Sequence, residues 1–219
     1  MIRIMLVDDH AVVRSGYRRY LDAEPGFCVA AEAGSCAEAY ARMTDDPVDV
    51  VVLDLCMPGG SSLDTLRRMF ARWPQLRALI FSMHDNPSYV TQAFRAGALG
   101  YLTKNSEPAE MLRAIREVAA GHRYISRNVA QGLAQDALDG DSALGCLTPR
   151  EFEVLRFAAS GDSTCAIAER MHLSSKTVVN YLSLIRQKLG VGSDLELFRL
   201  AARHGLVDLS AMTPLMRQP

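Results

Sequence analysis

Short apolar runs alternate with longer amphipathic stretches over the first 121 residues. Ile2–Val7, Cys28–Ala33, Val48–Leu55, Ala78–Met83 and Gly100–Thr103 are β-branched or otherwise apolar, and each is short enough for a strand. Between and after them, helical periodicity runs over Ala11–Ala23, Ser35–Met43, Leu63–Trp73, Pro87–Ala96 and Pro108–Ala120. Strict alternation of strand and helix predicts a doubly wound five-stranded parallel sheet, an α/β domain. The strands are apolar at nearly every position, as expected where helices cover both faces of a sheet.

The pattern loosens after Gly121. Residues 122–145 hold Gly132, Gly140 and Gly145 together with Asp136, Asp139 and Asp141, and are expected to be a linker with one short helix at Asn128–Leu138. From Leu147 the chain is helical throughout, predicting a second, all-α four-helix domain over 146–219 after a first over 1–121. Thr148-Pro149-Arg150-Glu151 is a capping box with proline at the first helical position. That helix is expected to end near Gly161. A second spans Ser163–Met171, a third runs from Ser174 to Leu189, and a fourth is capped by Ser193 and stops at Gly205.

Composition changes this picture little. The chain is 49% hydrophobic and 22% charged with a formal net charge of −1, so no global charge signals nucleic acid or membrane. Residues 1–121 hold 13 basic and 15 acidic side chains (net −2), whereas 146–219 hold 9 and 7 (net +2). The five cysteines show no paired spacing, against a disulfide framework or zinc site and for a reducing compartment. With no signal-peptide pattern and no apolar run of about 18 residues, the expectation is a cytoplasmic protein without a membrane partner.

Candidate chemistry lies where the strands end. Ligands of open α/β sheets bind beyond the carboxyl ends of the strands, where strand order reverses. In a 2-1-3-4-5 order the first and third strands are neighbours about 4.8 Å apart. Asp8 and Asp9 then meet Asp54 in one small pocket. Three converging carboxylates repel one another unless a hard cation neutralises them, and such oxygen ligands suit Mg2+. Ser82 ends the fourth strand and Lys104 follows the fifth, adding a hydroxyl and a cation within reach of a phosphoryl group. Acceptor, metal and positive charge are the parts that phosphoryl transfer needs. Each residue alone is ordinary; the set, in order, is not.

These residues, with Met57-Pro58-Gly59 after Asp54 and Gly100-Tyr101-Leu102-Thr103-Lys104, resemble the receiver domain of two-component response regulators over about 120 residues. The resemblance implies that Asp54 accepts a phosphoryl group from a sensor histidine kinase, assisted by Lys104 and Ser82. It implies that Asp8, Asp9, Asp54 and the backbone carbonyl of Cys56 hold Mg2+. Ser82 and Tyr101 would form a switch pair, the hydroxyl turning to the phosphoryl oxygen and the ring following it inward. Asn105 stands where many receivers have proline, and Ser62 where glycine is common. The Cys56 side chain is read as small, buried packing, ahead of a redox sensor.

In the third C-terminal helix Val178, Leu182, Ile185 and Leu189 form one apolar face, and Lys176, Asn180, Ser183 and Gln187 fall opposite. The preceding helix joins it through the short turn His172-Leu173-Ser174. Periodicity alone leaves a DNA-reading helix-turn-helix and a packing or dimerisation module equally open. Leu147–Glu151, Ile167-Ala168, Leu173–Val178 and Lys188–Val191 resemble the LuxR-type helix-turn-helix, which joined to a receiver is the NarL/FixJ layout. The Ser-Ser-Lys-Thr-Val run and the Arg203–Leu206 ending look closest to the UvrY/GacA branch. Val179 and Ser183 stand where relatives often carry lysine, and Ala166 where glutamate is common.

The implied function is a phosphorylation-controlled transcription regulator, not an enzyme. Its homodimer would form through Asp194–His204 and bind a short palindromic DNA site. Asn180 is a candidate for an adenine edge, Lys176, Thr177, Arg186 and Lys188 for phosphates, and Val179, Ser183 and Gln187 complete the facing surface. Two alternatives stand beside it: a signalling adaptor whose helical domain binds protein, and a phosphatase acting through an aspartyl-phosphate.

Overall fold

The computed structural model describes residues 1–57, 60–139 and 143–207, which fall into two units, Met1–Gly140 and Asp141–Pro219. In the first unit β1 (Ile2–Val7), β2 (Phe27–Ala33), β3 (Val50–Leu53), β4 (Arg77–Ser82) and β5 (Gly100–Thr103) alternate with α1 (Ala11–Asp22), α2 (Cys36–Asp45), α3 (Ser62–Arg72), α4 (Pro87–Arg95) and α5 (Pro108–Ala119). All strand pairs are parallel, in the order β2-β1-β3-β4-β5 with a sixth strand at the far edge. The order in which strands are added therefore reverses between β1 and β3.

Both faces are buried, which is why the strands lack polar alternation. Ile4, Leu6, Val50, Val52, Leu79 and Phe81 pack in one cluster with Leu21 of α1 and Met111, Ile115 and Val118 of α5. Their neighbours Met5, Val7, Val51, Leu53, Ile80 and Tyr101, pointing the other way, are equally buried. Ser35 and Ser61 cap α2 and α3, accepting from the Glu38 and Asp64 amides. Ser62, at the usual glycine position, opens α3 as a fully buried residue with its Oγ 3.8 Å from the Cys36 thiol.

The segment expected as a linker is different. Tyr124–Ile125 forms β6, parallel to β5 and paired Gly100↔Tyr124 and Tyr101↔Ile125. It is followed by α6 (Arg127–Asp139), which lies against α4 and β5. Val129 and Ser126 are buried there. The sheet thus has six strands, and 122–139 belongs to the first unit. A two-residue strand carries no periodicity, so only the free edge of β5 could reveal it. Gly140 to Ser142 lie outside the described residues.

The second unit opens with a 3-10 turn, Ala143–Cys146, and continues as α7 (Pro149–Ala159), α8 (Thr164–Arg170), α9 (Ser175–Leu189) and α10 (Asp194–Arg203). Serine or threonine caps all four helices: Thr148 with Glu151 as a reciprocal capping box, then Ser163, Ser174 and Ser193. Ala166 still supplies its amide to Ser163 Oγ at 3.2 Å. His172, in the α8–α9 turn, adopts φ +53°, and Gly190 ends α9 at φ +67°. Phe152, Leu155, Phe157, Ile167, Val178, Ile185, Leu197 and Ala201 form the core. Among the described residues no helix is long and apolar enough to cross a membrane. Residues 208–219 of the expected second domain lie outside the description.

Candidate functional site

The Asp54 amide donates to the Val7 carbonyl at 2.9 Å, holding the residue one step beyond the β1–β3 ladder and beside Asp8. Both carboxylates are buried, 4% and 5% exposed. Asp8 is fixed further: its amide donates to Ala33 O, its Oδ1 accepts from the His10 amide at 2.8 Å, and its carbonyl accepts from Arg14 Nη1 at 2.5 Å. One ligand atom from each of Asp8, Asp9, His10 and Asp54 lies within 4.8 Å of the others.

Lys104 answers this charge. Its amide donates to Ser82 O, placing the side chain over the pocket, where Nζ lies 2.7 Å from Asp54 Oδ2 and 2.5 Å from Asp8 Oδ2. Burial by itself would lower the lysine pKa, but its bonds to Asp54 and Asp8 outweigh burial and hold it above its ordinary value. Three carboxylates face one ammonium, and this excess of hard oxygen donors fits a divalent cation.

Around the acceptor, the Cys56 amide donates to Asp54 Oδ1 at 3.2 Å. Ser82 is fully buried and its Oγ accepts from the His84 amide at 3.3 Å. The Tyr101 ring, expected to move inward on activation, is already buried, because its hydroxyl donates to the His84 carbonyl at 2.7 Å. Burial pushes the phenol pKa well up, opposed in part by a hydrogen bond with the Ser82 side chain. The two expected switch residues are thus joined. Cys56, expected as inert packing, is half-buried with its Sγ 3.1 Å from His84 Nε2, and that imidazole stacks on Tyr89 at 4.3 Å. Neither His84 nor His10 stood out in the sequence. The run Asp-Asp-His held the signal for His10; for His84 there was none. Pro58 and Gly59 lie outside the described residues.

On α9 the expected division holds in outline. Val178 and Ile185 are buried, Leu182 and Leu189 half-buried, and Lys176, Asn180, Ser183 and Gln187 are exposed with Val179 beside them. Leu184, unremarked in the sequence, is also exposed. Thr177 is half-buried, its Oγ1 2.8 Å from Ser174 Oγ. Two cations expected at phosphates are engaged within the unit. Lys188 Nζ lies 2.7 Å and 2.8 Å from the two oxygens of buried Glu151, and Arg186 pairs with Asp194. Lys188 stays exposed, but it lies eight residues past Asn180, about 80° round the helix, on the flank where it reaches Glu151 of α7.

Two sequence families match this architecture. Residues 4–116 match the response regulator receiver domain, and 146–201 match the bacterial regulatory proteins of the luxR family. The chain is a response regulator of the LuxR type. Similar relatives include the transcriptional activator protein ExaE of Pseudomonas putida, 42% identical over 95% of this chain and 99% of that protein. Response regulator GacA of Pseudomonas viridiflava is 37% identical over 96% and 100%, and UvrY of Escherichia coli (strain K12) 34% over 97% and 99%. These are the branch to which the Arg203–Leu206 ending pointed. Among solved structures, a LuxR-family two-component response regulator from Aurantimonas sp. SI85-9A1 matches at TM-score 0.61 and 43% identity, covering 63% of this chain and all but 1% of its own. RcsB of Salmonella enterica serovar Typhimurium, bound to promoter rprA with a phosphomimetic, shares the regulator's fold at TM-score 0.76 over 92% and 98%, with 23% identity.

Proposed function

We propose that the regulator accepts a phosphoryl group on Asp54 from the phosphohistidine of a sensor kinase and thereby controls its binding to promoter DNA. The observation that carries this reading is Lys104, bonded to both Asp54 and Asp8 in a buried pocket. Asp54 Oδ attacks phosphorus; an O–P bond forms, the N–P bond breaks, and the departing imidazole takes a proton. Asp8, Asp9, Asp54 and the Cys56 carbonyl would hold Mg2+, which when bound neutralises phosphoryl oxygens. Lys104 turns from the carboxylates to those oxygens, and the Ser82 hydroxyl, buried beside Tyr101, receives a hydrogen bond partner there. The chemistry is regulatory, not a turnover of substrate.

The helical unit reads DNA as a dimer through Asp194–His204, on a short palindromic site. Asn180 suits an adenine edge and exposed Val179 a thymine methyl, with Lys176 and Thr177 at the backbone. Promoter DNA and a kinase's transmitter domain place this work in the cytoplasm.

DNA selection with full-length protein, with and without a small phosphodonor and alongside Asp54→Asn, tests the reading. The expected result is a motif enriched only in phosphorylated wild type. Enrichment in all three samples would remove Asp54 as the trigger; enrichment in none would favour a helical unit that binds protein.

A further inference from the structure

His10 has no part in that reading, yet its imidazole sits on the acidic cluster. Nδ1 lies 2.9 Å from Asp9 Oδ1 and 3.2 Å from Asp8 Oδ1. The ring is held there by its own backbone, since the His10 amide donates to the same Asp8 carboxylate at 2.8 Å. It makes no capping bond to α1, which it precedes. In six-coordinate geometry with bonds of about 2.1 Å, adjacent ligand atoms lie about 3.0 Å apart and opposite ones about 4.2 Å. The two separations are those of adjacent ligands, and a cluster within 4.8 Å closes on one ion with shifts of about half an ångström.

We propose that His10 Nδ1 is a ligand of the pocket's metal, giving a nitrogen-plus-carboxylate set that favours first-row transition dications such as Mn2+ over Mg2+. Mg2+ gains little from imidazole, whereas affinity for nitrogen donors rises along the first transition row from Mn2+. The ring is two-thirds exposed, so it can join an incoming ion without unpacking the core. This rests on the reading of Asp8, Asp9 and Asp54 as a metal site. An imidazole that only hydrogen-bonds Asp8 and lies beside Asp9 is the competing account of the same distances.

Mn2+ is the probe, because the exposed thiols of Cys146 and Cys165 would capture Zn2+ or Cu2+. Pulsed EPR of Mn2+ on the full chain is expected to show nitrogen modulation that His10→Ala and His10→Gln abolish. Competition binding is expected to show the preference for Mn2+ over Mg2+ falling by about tenfold in both variants. Mn2+ bound without nitrogen modulation, or modulation and preference unchanged in the variants, overturns the His10 ligand and leaves the carboxylate site standing. A wild type that binds neither ion overturns both. The wild-type spectrum decides by itself if a variant fails to fold.

Discussion

The carbonyl of Tyr101 accepts a hydrogen bond from the amide of Ser126 at 3.2 Å, and Ser126 in turn accepts from Ala130 in the first turn of α6. At its other end the Tyr101 hydroxyl is bonded to the loop after β4, at His84. One buried residue therefore ties the rim of the acidic pocket to the helix through which the chain leaves the first unit. Ser126→Pro deletes that amide at a position following a strand residue, where proline's preference for an extended predecessor is met. The expected outcome is a loss of about 1–2 kcal/mol in the protection of α6, read by hydrogen exchange over residues 127–139. Unchanged protection would show that α6 is held by its packing on α4 and β5 without that bond.

Lys104 is the single ammonium between two buried carboxylates, and its removal strands both. Lys104→Met is expected to destabilise the first unit by about 3 kcal/mol in the absence of divalent ions. Mg2+ should restore part of this, since a ligand of the folded state adds stability by mass action. Denaturant unfolding with and without Mg2+ checks it. The lysine pKa is raised above 10.5, so its contribution is fully present below that pH and is lost as pH rises through the still higher folded value.

Glu151 closes the α7 capping box and holds Lys188. Burial raises its pKa, but the bonds from Lys188 and from the Thr148 amide outweigh it and leave the carboxyl below 4.5. Its contribution is present above pH 4.5 and lost as pH falls through the lower folded value. Glu151→Gln is thus expected to cost about 1–2 kcal/mol at neutral pH. Its stability curve should converge on that of the wild type in acid. A gap that stays constant with pH would mean that the charge of the glutamate is not what stabilises the unit.

The lysines of α9 should separate in a salt titration of DNA binding. Lys176 is exposed and is in the first turn of the helix, so Lys176→Ala is expected to lower the salt slope by about one unit. Lys188→Ala should leave the slope near the wild-type value and lower the melting temperature instead, because its charge is spent on Glu151. The reverse pattern would place Lys188 at a phosphate.

Much of the architecture was legible because local rules carried it. The β1 and β5 boundaries coincide with their apolar runs, and the Thr148–Glu151 box and the serine caps mark helix starts to within a residue. β3 is shorter than its apolar run at both ends: Val48 and Asp49 precede the ladder, and Asp54 and Leu55 follow it, with Asp54 at the pocket. β6 was read as part of a linker because two residues have no period and owe their conformation to a neighbouring edge.

Strand ends and helix faces, then, were already determined by spacing along the chain: it put Asp8, Asp9, Asp54, Ser82 and Lys104 on one rim and Asn180 opposite Ile185. Tertiary structure decided the pairings: Lys104 with Asp8, His84 with Cys56, Tyr101 with Ser126, Lys188 with Glu151. Periodicity records which way a side chain points relative to its own element. Charge neutralisation and hydrogen bonding between residues dozens of positions apart are settled only when packing brings those elements together and takes the water away.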